Sequence, residues 1–228
     1  MTQSKILNQK STIDLVVFDL GRVLLRISDD WDHAAALAGR PGLAGLTGDL
    51  STAEARGTHH PLAGLLDRYE TGRVMPDVFF AEGERLSGHA AADLRAVMDA
   101  VLIEAFPGAA ELIERLADRP VRTACLSNTN AGHWDAMHDP GHRAYLPLHR
   151  LDFPWASQLF GLAKPDPAIY ARCEQDADVL PGAVLFFDDL PENVAAAADR
   201  GWRAELVPRD LDNPVPLIQE RLASYGLT

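Results

Sequence analysis

Cysteine is scarce in this chain. Only Cys125 and Cys173 occur, far apart, in apolar or helical context and without metal-ligand spacing. That pattern argues against a disulfide framework and reads as two reduced, structural residues of an intracellular, cytoplasmic protein. Long apolar runs are missing as well. None approaches the roughly 20 residues that cross a bilayer, and the polar stretch Met1–Ser11 lacks the apolar segment of a signal peptide. It reads as a loose leader. Basic clusters are also absent. Lys and Arg number 21 against 33 Asp and Glu, for a net charge of −12. Nucleic-acid binding draws on clustered cations that displace counterions, so neither nucleic acid nor an acidic membrane surface is an expected partner. There is no internal repeat and no low-complexity tract. What remains is 228 residues, 47% hydrophobic and 24% charged. That suits one large globular domain, or a core with a subdomain, able to bury its apolar surface without disulfides.

Five segments read as buried strands: Asp14–Phe18, Val121–Leu126, Trp155–Ser157, Val184–Phe187 and Arg203–Val207. Helical patterns fall between most of them. This alternation predicts an α/β fold, a doubly wound parallel sheet of Rossmann-like type covered on both faces. Pro107 stands just before a helix over Ala109–Ala117, and Asp166-Pro167 supplies an N-cap with proline at the first helical position. Gly201 marks the end of a helix over Leu190–Asp199. Residues 29–105 differ. They show no convincing strand and carry helical patterns near Trp31–Ala38, Pro61–Tyr69, Pro76–Leu86 and Ala90–Ile103.

In a doubly wound sheet, ligands bind at the carboxyl ends of the strands. Four stretches stand at such ends or at the start of the next helix. Val16-Val17-Phe18-Asp19-Leu20-Gly21 delivers a carboxylate at the end of a buried strand, where it is costly unless used. Leu126-Ser127-Asn128-Thr129-Asn130 offers a hydroxyl and backbone N–H groups at a strand-to-helix turn, an anion-binding arrangement. Lys164-Pro165-Asp166-Pro167 brings a cation on a restricted backbone, and Phe186-Phe187-Asp188-Asp189 brings two more carboxylates. Taken singly, each has an ordinary explanation: turn residue, helix cap or solvated lysine.

Jointly and in this order, the four stretches resemble the motifs of the haloacid dehalogenase superfamily, largely magnesium-dependent phosphohydrolases. The resemblance implies that residues 1–28 and 106–228 form an α/β core and residues 29–105 a helical cap. It implies Asp19 as the nucleophile that forms an aspartyl-phosphate, with Lys164 balancing charge and holding the phosphate alongside Ser127 and Asn128. Mg2+ would be held by Asp19, the carbonyl of Gly21 and Asp189, with Asp188 acting mainly through water or Lys164. Asn193, one helical turn beyond Asp189, can face the same site.

The chain departs from the pattern at one position. Two residues after the nucleophile the family's phosphatases usually carry an Asp that protonates the leaving oxygen. Here Gly21 stands there and has no side chain. Asp19-Leu20-Gly21, Ser127-Asn128-Thr129-Asn130 and Tyr69-Glu70-Thr71-Gly72 together resemble a subgroup that includes bacterial α-D-glucose-1-phosphatase-like enzymes and lies near the phosphatase domain of soluble epoxide hydrolases. His133 is the best substitute acid in the sequence, although a helix-surface role is the more ordinary reading. Arg22 points toward the cap or covers the turn, and His59-His60 fall in the cap. The expected activity is magnesium-dependent hydrolysis of a small phosphate ester, sugar 1-phosphates being one candidate class. Two alternatives stand beside it. One is a halide-releasing hydrolase, against which Leu20-Gly21 and the acidic pair count. The other is a catalytically weak phosphate-binding protein lacking the acid. The sequence does not address oligomeric state.

Overall fold

A computed structural model describes residues 13–43 and 61–227. The segment Met1–Ser11, expected as a loose leader, and His59-His60 lie outside the described residues. Five parallel strands make the main sheet: β1 (Leu15–Phe18), β4 (Arg122–Ser127), β5 (Phe153–Ala156), β6 (Val184–Asp188) and β7 (Arg203–Leu206), in the order β5-β4-β1-β6-β7. β1 is central, with Phe18 level with Cys125 on one side and Phe187 on the other. Its short apolar run is buried at every position, as expected for a parallel strand covered on both faces.

Side chains alternate across the sheet, so β1 feeds two cores. Val16 and Phe18 pack with Leu112, Ile113 and Leu116 of α5 (Ala109–Ala117) and with Val215, Ile218 and Leu222 of α10 (Val215–Ser224). Leu15 and Val17 pack with Ile169, Tyr170 and Cys173 of α8 (Pro167–Ala177) and with Ala197 of α9 (Pro191–Asp199). Each buried Val, Leu, Ile or Phe among them contributes roughly 1.5–3 kcal/mol of burial free energy. The helix signals act as expected. Asp166 caps α8, accepting from the Ala168 N–H with Pro167 at the first position, and Gly201, at φ +95°, follows α9 in the left-handed region that suits glycine.

The described residues between 29 and 105 are mainly helical: α1 (Trp31–Leu37), α2 (Pro61–Glu70), α3 (Pro76–Ser87) and α4 (Ala91–Asp99). They have their own apolar cluster of Leu62, Leu65, Leu66, Tyr69, Phe79, Phe80 and Met98, with Tyr69 stacked on Phe79 at 4.3 Å between ring centroids. One element departs from the expectation of helix alone. The helix expected to run to Ile103 stops at Asp99, and β3 (Leu102–Ala105) pairs antiparallel with β2 (Leu25–Ile27). This two-stranded ribbon lies where the chain leaves and re-enters the main sheet. The expected strand Trp155–Ser157 also shifts: β5 ends at Ala156 and Ser157 opens the short helix α7 (Ser157–Phe160). No helix of the described residues is long and apolar enough to cross a membrane.

Candidate active site

Strand geometry brings the four motifs together. Asp19 follows β1, Ser127 ends β4, and Asp188 ends β6 with Asp189 next, all at the carboxyl edge of adjacent parallel strands. Lys164 arrives from the turn before α8. These side chains line one cleft of about 190 Å3, except Asp188, which sits fully buried just behind it. Residues from the helical segment, including Trp31, Leu66 and Met98, form an apolar wall of the same cleft.

Lys164 is the hub. Its Nζ lies 2.8 Å from Asp19 Oδ1 and 2.7 Å from Asp188 Oδ2, and the residue is only 2% exposed. Burial alone would pull the ammonium down. Asp188, then Asp19, outweigh it, and the group is held above the ordinary lysine range. Asp188 is fully partnered. It takes the lysine, the Leu190 N–H at 2.9 Å and Asn193 Nδ2 at 3.0 and 3.1 Å. Tyr170 in turn donates to the Asn193 carbonyl at 3.1 Å. Asn193 therefore faces the site through Asp188, as its helical spacing suggested.

Asp19, Asp188 and Asp189 place carboxylate oxygens within 4.8 Å of one another, and all three are buried. That density of negative charge shows in the acidities. Burial, with Asp188 and Asp189 adding to it and Lys164 opposing, pushes Asp19 up to about 7. Burial and Asp188 raise Asp189 to about 6 against the pull of Arg209, Lys164 and Arg22. A set of hard oxygen donors in need of positive charge fits Mg2+.

Gly21 and Ile27 both line the cleft. A Cβ built on Gly21 would meet Ile27 Cδ1 at 3.1 Å, so an apolar side chain borders the place of the missing acid. Arg22 adopts a left-handed conformation at φ +59°. It donates to the Ser28 carbonyl at 2.8 Å and the Asp29 carbonyl at 2.9 Å, and its Nε lies 3.7 Å from Asp189 Oδ2. It thus both covers the turn and reaches the Asp189 carboxylate.

Asn128 has a different task from direct anion binding by its side chain. Nδ2 donates to the Lys164 carbonyl at 2.8 Å, and Oδ1 accepts from the Lys164 N–H at 2.9 Å. It fixes the backbone that carries the lysine. His133 is buried rather than on the helix surface. It sits in α6 (Ala131–His138), where Nε2 donates to the Met98 carbonyl at 2.7 Å and Nδ1 accepts from Asn130 Nδ2 at 3.3 Å. Burial lowers its pKa. A neutral imidazole with both nitrogens engaged is badly placed to give a proton to a leaving group.

Two residues in or beside the site were not foreseen. Arg209, beyond β7, puts Nε 3.0 Å from Asp189 Oδ2 and lines the cleft. Its signal was available, because it follows a strand at the same sheet edge. Ser157 was read as the end of a strand. Its hydroxyl meets Thr129 and Glu70, and nothing in its local pattern announces that.

Comparisons with known proteins agree with this geometry. The haloacid dehalogenase-like hydrolase family model matches residues 13–201. A HAD family enzyme from Bacteroides thetaiotaomicron, solved in complex with magnesium and inorganic phosphate, superposes with a TM-score of 0.70 at 21% identity, covering 88% of this chain and 96% of its own. A predicted HAD-like family hydrolase from Porphyromonas gingivalis superposes at 0.70 with 28% identity, over 93% and 98%. L-2-haloacid dehalogenase from Xanthobacter autotrophicus superposes at 0.57 with 21% identity, over 95% and 85%. Among curated relatives, mouse acyl-CoA dehydrogenase family member 10 is 31% identical over 53% of this chain but 10% of its own length. Phosphatase MT3486 of Mycobacterium tuberculosis is 43% identical over 27% of this chain and 29% of its own. The chain thus spans less than a third of each of these curated relatives. With the family match covering most of the chain, and the four motifs meeting in one cleft, the chain belongs to the haloacid dehalogenase-like hydrolases.

Proposed function

We propose that this hydrolase is a magnesium-dependent phosphomonoesterase acting on a small phosphate ester through an aspartyl-phosphate on Asp19. The observation that carries the reading is the buried cluster of Asp19, Lys164 and the Asp188-Asp189 pair at the floor of one cleft. A carboxylate that attacks phosphorus must approach an anion, and this cluster provides cation sites on both sides of it. Asp19, the Gly21 carbonyl and Asp189 would hold Mg2+, with Asp188 behind them. When bound, the metal supplies charge that screens nucleophile from phosphate and polarises phosphoryl oxygens.

The chain's own residues do the rest. Lys164 orients the Asp19 carboxylate and offers positive charge to the phosphoryl group. The Ser127 hydroxyl and the backbone at Asn128 hold the phosphate, and Asn128 sets the position of Lys164. Attack by Asp19 forms the bond to phosphorus as the ester oxygen leaves with its electron pair, and water then releases inorganic phosphate and restores Asp19. Residues 29–105 act as a cap over a core of residues 1–28 and 106–228, the two-stranded ribbon marking the crossing. With Gly21 in place of the acid, the leaving group must be comparatively acidic. Anomeric sugar 1-phosphates and acyl phosphates meet that requirement, which agrees with the resemblance to α-D-glucose-1-phosphatase-like enzymes.

The test is release of inorganic phosphate from an aryl phosphate, with Mg2+ and with chelator, beside halide release from a 2-haloacid. Phosphate release that depends on Mg2+ is the expected result. Halide release without phosphate release would overturn the reading in favour of the dehalogenase branch. Phosphate binding without any turnover would leave a binding protein.

A further inference from the structure

We infer that Ser157 is a positioning residue that ties the helical segment to the phosphate-holding loop, an inference that rests on the phosphatase reading. Ser157 is fully buried at the first turn of α7. Its Oγ accepts the Thr129 N–H at 2.9 Å. The same oxygen lies 2.5 Å from the carbonyl of Glu70, the last residue of α2, and 3.1 Å from that of Thr129. A hydroxyl has one proton to donate, and the shorter contact directs it to Glu70. One side chain thus spans from the cap-side helix end to the loop that begins at Ser127.

The neighbouring chain is shaped for this contact. Gly72, at φ +66°, lies so close to α7 that a Cβ there would stand 2.2 Å from the Gln158 carbonyl oxygen. Only glycine satisfies both the backbone angle and the approach. Arg73 donates to the Gly161 carbonyl at 3.3 Å. On the other side of the loop, His133 and Asn130 reach Met98, and the Tyr69 hydroxyl lies against Gly132. The loop from Ser127 to Asn130 is therefore gripped by the segment that covers the cleft. Asn128 braces Lys164, Asn130 caps α6, and Thr129 is held by Ser157. Of these, Ser157 is the member whose partner on the far side is the end of α2. Its work is to fix which direction the Thr129 amide faces. That sets the loop backbone against the phosphate only when the helical segment is seated.

The experiment measures KM for an aryl phosphate, the inhibition constant of inorganic phosphate, kcat, and hydrogen exchange at the Thr129 amide, in wild type, Ser157→Ala and Ser157→Cys. Loss of one positioning hydrogen bond should raise KM and the phosphate inhibition constant together, by about three- to tenfold. It should leave kcat within about threefold and speed exchange at Thr129. Ser157→Cys, which fills the site with a weaker acceptor, should shift the same constants in the same direction, and it carries the test if Ser157→Ala does not fold. Unchanged KM, phosphate inhibition and Thr129 exchange in a folded variant would overturn the role of Ser157 while leaving the phosphatase reading intact. A wild type that neither binds phosphate nor hydrolyses the ester would overturn both.

Discussion

The buried Lys164 ammonium stands 2.8 Å from Asp19 Oδ1, and it is shared with Asp188. Removing one partner of a buried ion pair leaves uncompensated charge, which costs about 3–5 kcal/mol. Lys164→Met should therefore destabilise the metal-free protein by an amount of that order in denaturant unfolding. Activity should fall by about two to three decades, the range for losing one preorganised charge-stabilising donor. A Lys164→Met variant of undiminished stability and activity would show that the lysine is a bystander.

Asp19 bears on stability in the opposite sense. Its carboxyl is raised in the fold from 3.8 to about 7, chiefly by burial. An acid whose folded pKa is raised contributes stability that is fully present below the unfolded value and lost as pH rises through the folded one. Between about pH 4 and 7 the metal-free protein should progressively lose this contribution, on the order of a few kcal/mol. Asp19→Asn cannot ionise. Without metal, its melting temperature at pH 8 should exceed that of wild type by several degrees, and the gap should close toward pH 4. Added Mg2+ should raise the wild-type value more than that of the variant. Equal melting temperatures at both pH values would contradict the burial of an ionised Asp19 beside Asp188 and Asp189 as a cost that Lys164 only partly offsets.

Gly21 sets the demand on the leaving group. General acid catalysis is typically worth about 10²–10⁴ in rate. Across phosphate esters graded by leaving-group pKa, the wild-type rate should fall steeply as the leaving oxygen becomes more basic. Gly21→Asp should flatten the series if the new carboxyl reaches the ester oxygen. Because its Cβ would press on Ile27 at 3.1 Å, the same change combined with Ile27→Ala should flatten it further. A flat wild-type series would mean that another acid serves the site, and the buried, doubly bonded His133 is a poor candidate for it.

Much of this arrangement was legible in the sequence because parallel strands deliver their last residues to one edge. Asp19, Ser127 and Asp188-Asp189 each follow a short apolar run, so their convergence needed only the sheet. Asn193 followed from helical spacing. The ribbon of β2 and β3 was not legible. Leu25 and Ala105 find each other across the whole helical segment, and a three- or four-residue apolar run after α4 is indistinguishable from a helix end by periodicity. His133 was misjudged for a related reason. Which face of a short helix is buried depends on what packs against it, here Met98 from the helical segment. Arg209 carried the same strand-end signal as the carboxylates and went unweighed. Ser157 acts through backbone carbonyl and amide groups, which have no sequence signature.

The proposed mechanism requires that Asp19 becomes phosphorylated. The direct measurement is an acid quench of the wild-type enzyme during turnover of an aryl phosphate in Mg2+, followed by peptide mass spectrometry. A hydroxylamine-labile phosphoryl group should appear on the peptide bearing Asp19, absent in chelator and absent in Asp19→Asn, which should also lack turnover. Sustained phosphate release by Asp19→Asn, or a phosphoryl group trapped on a different residue, would contradict it.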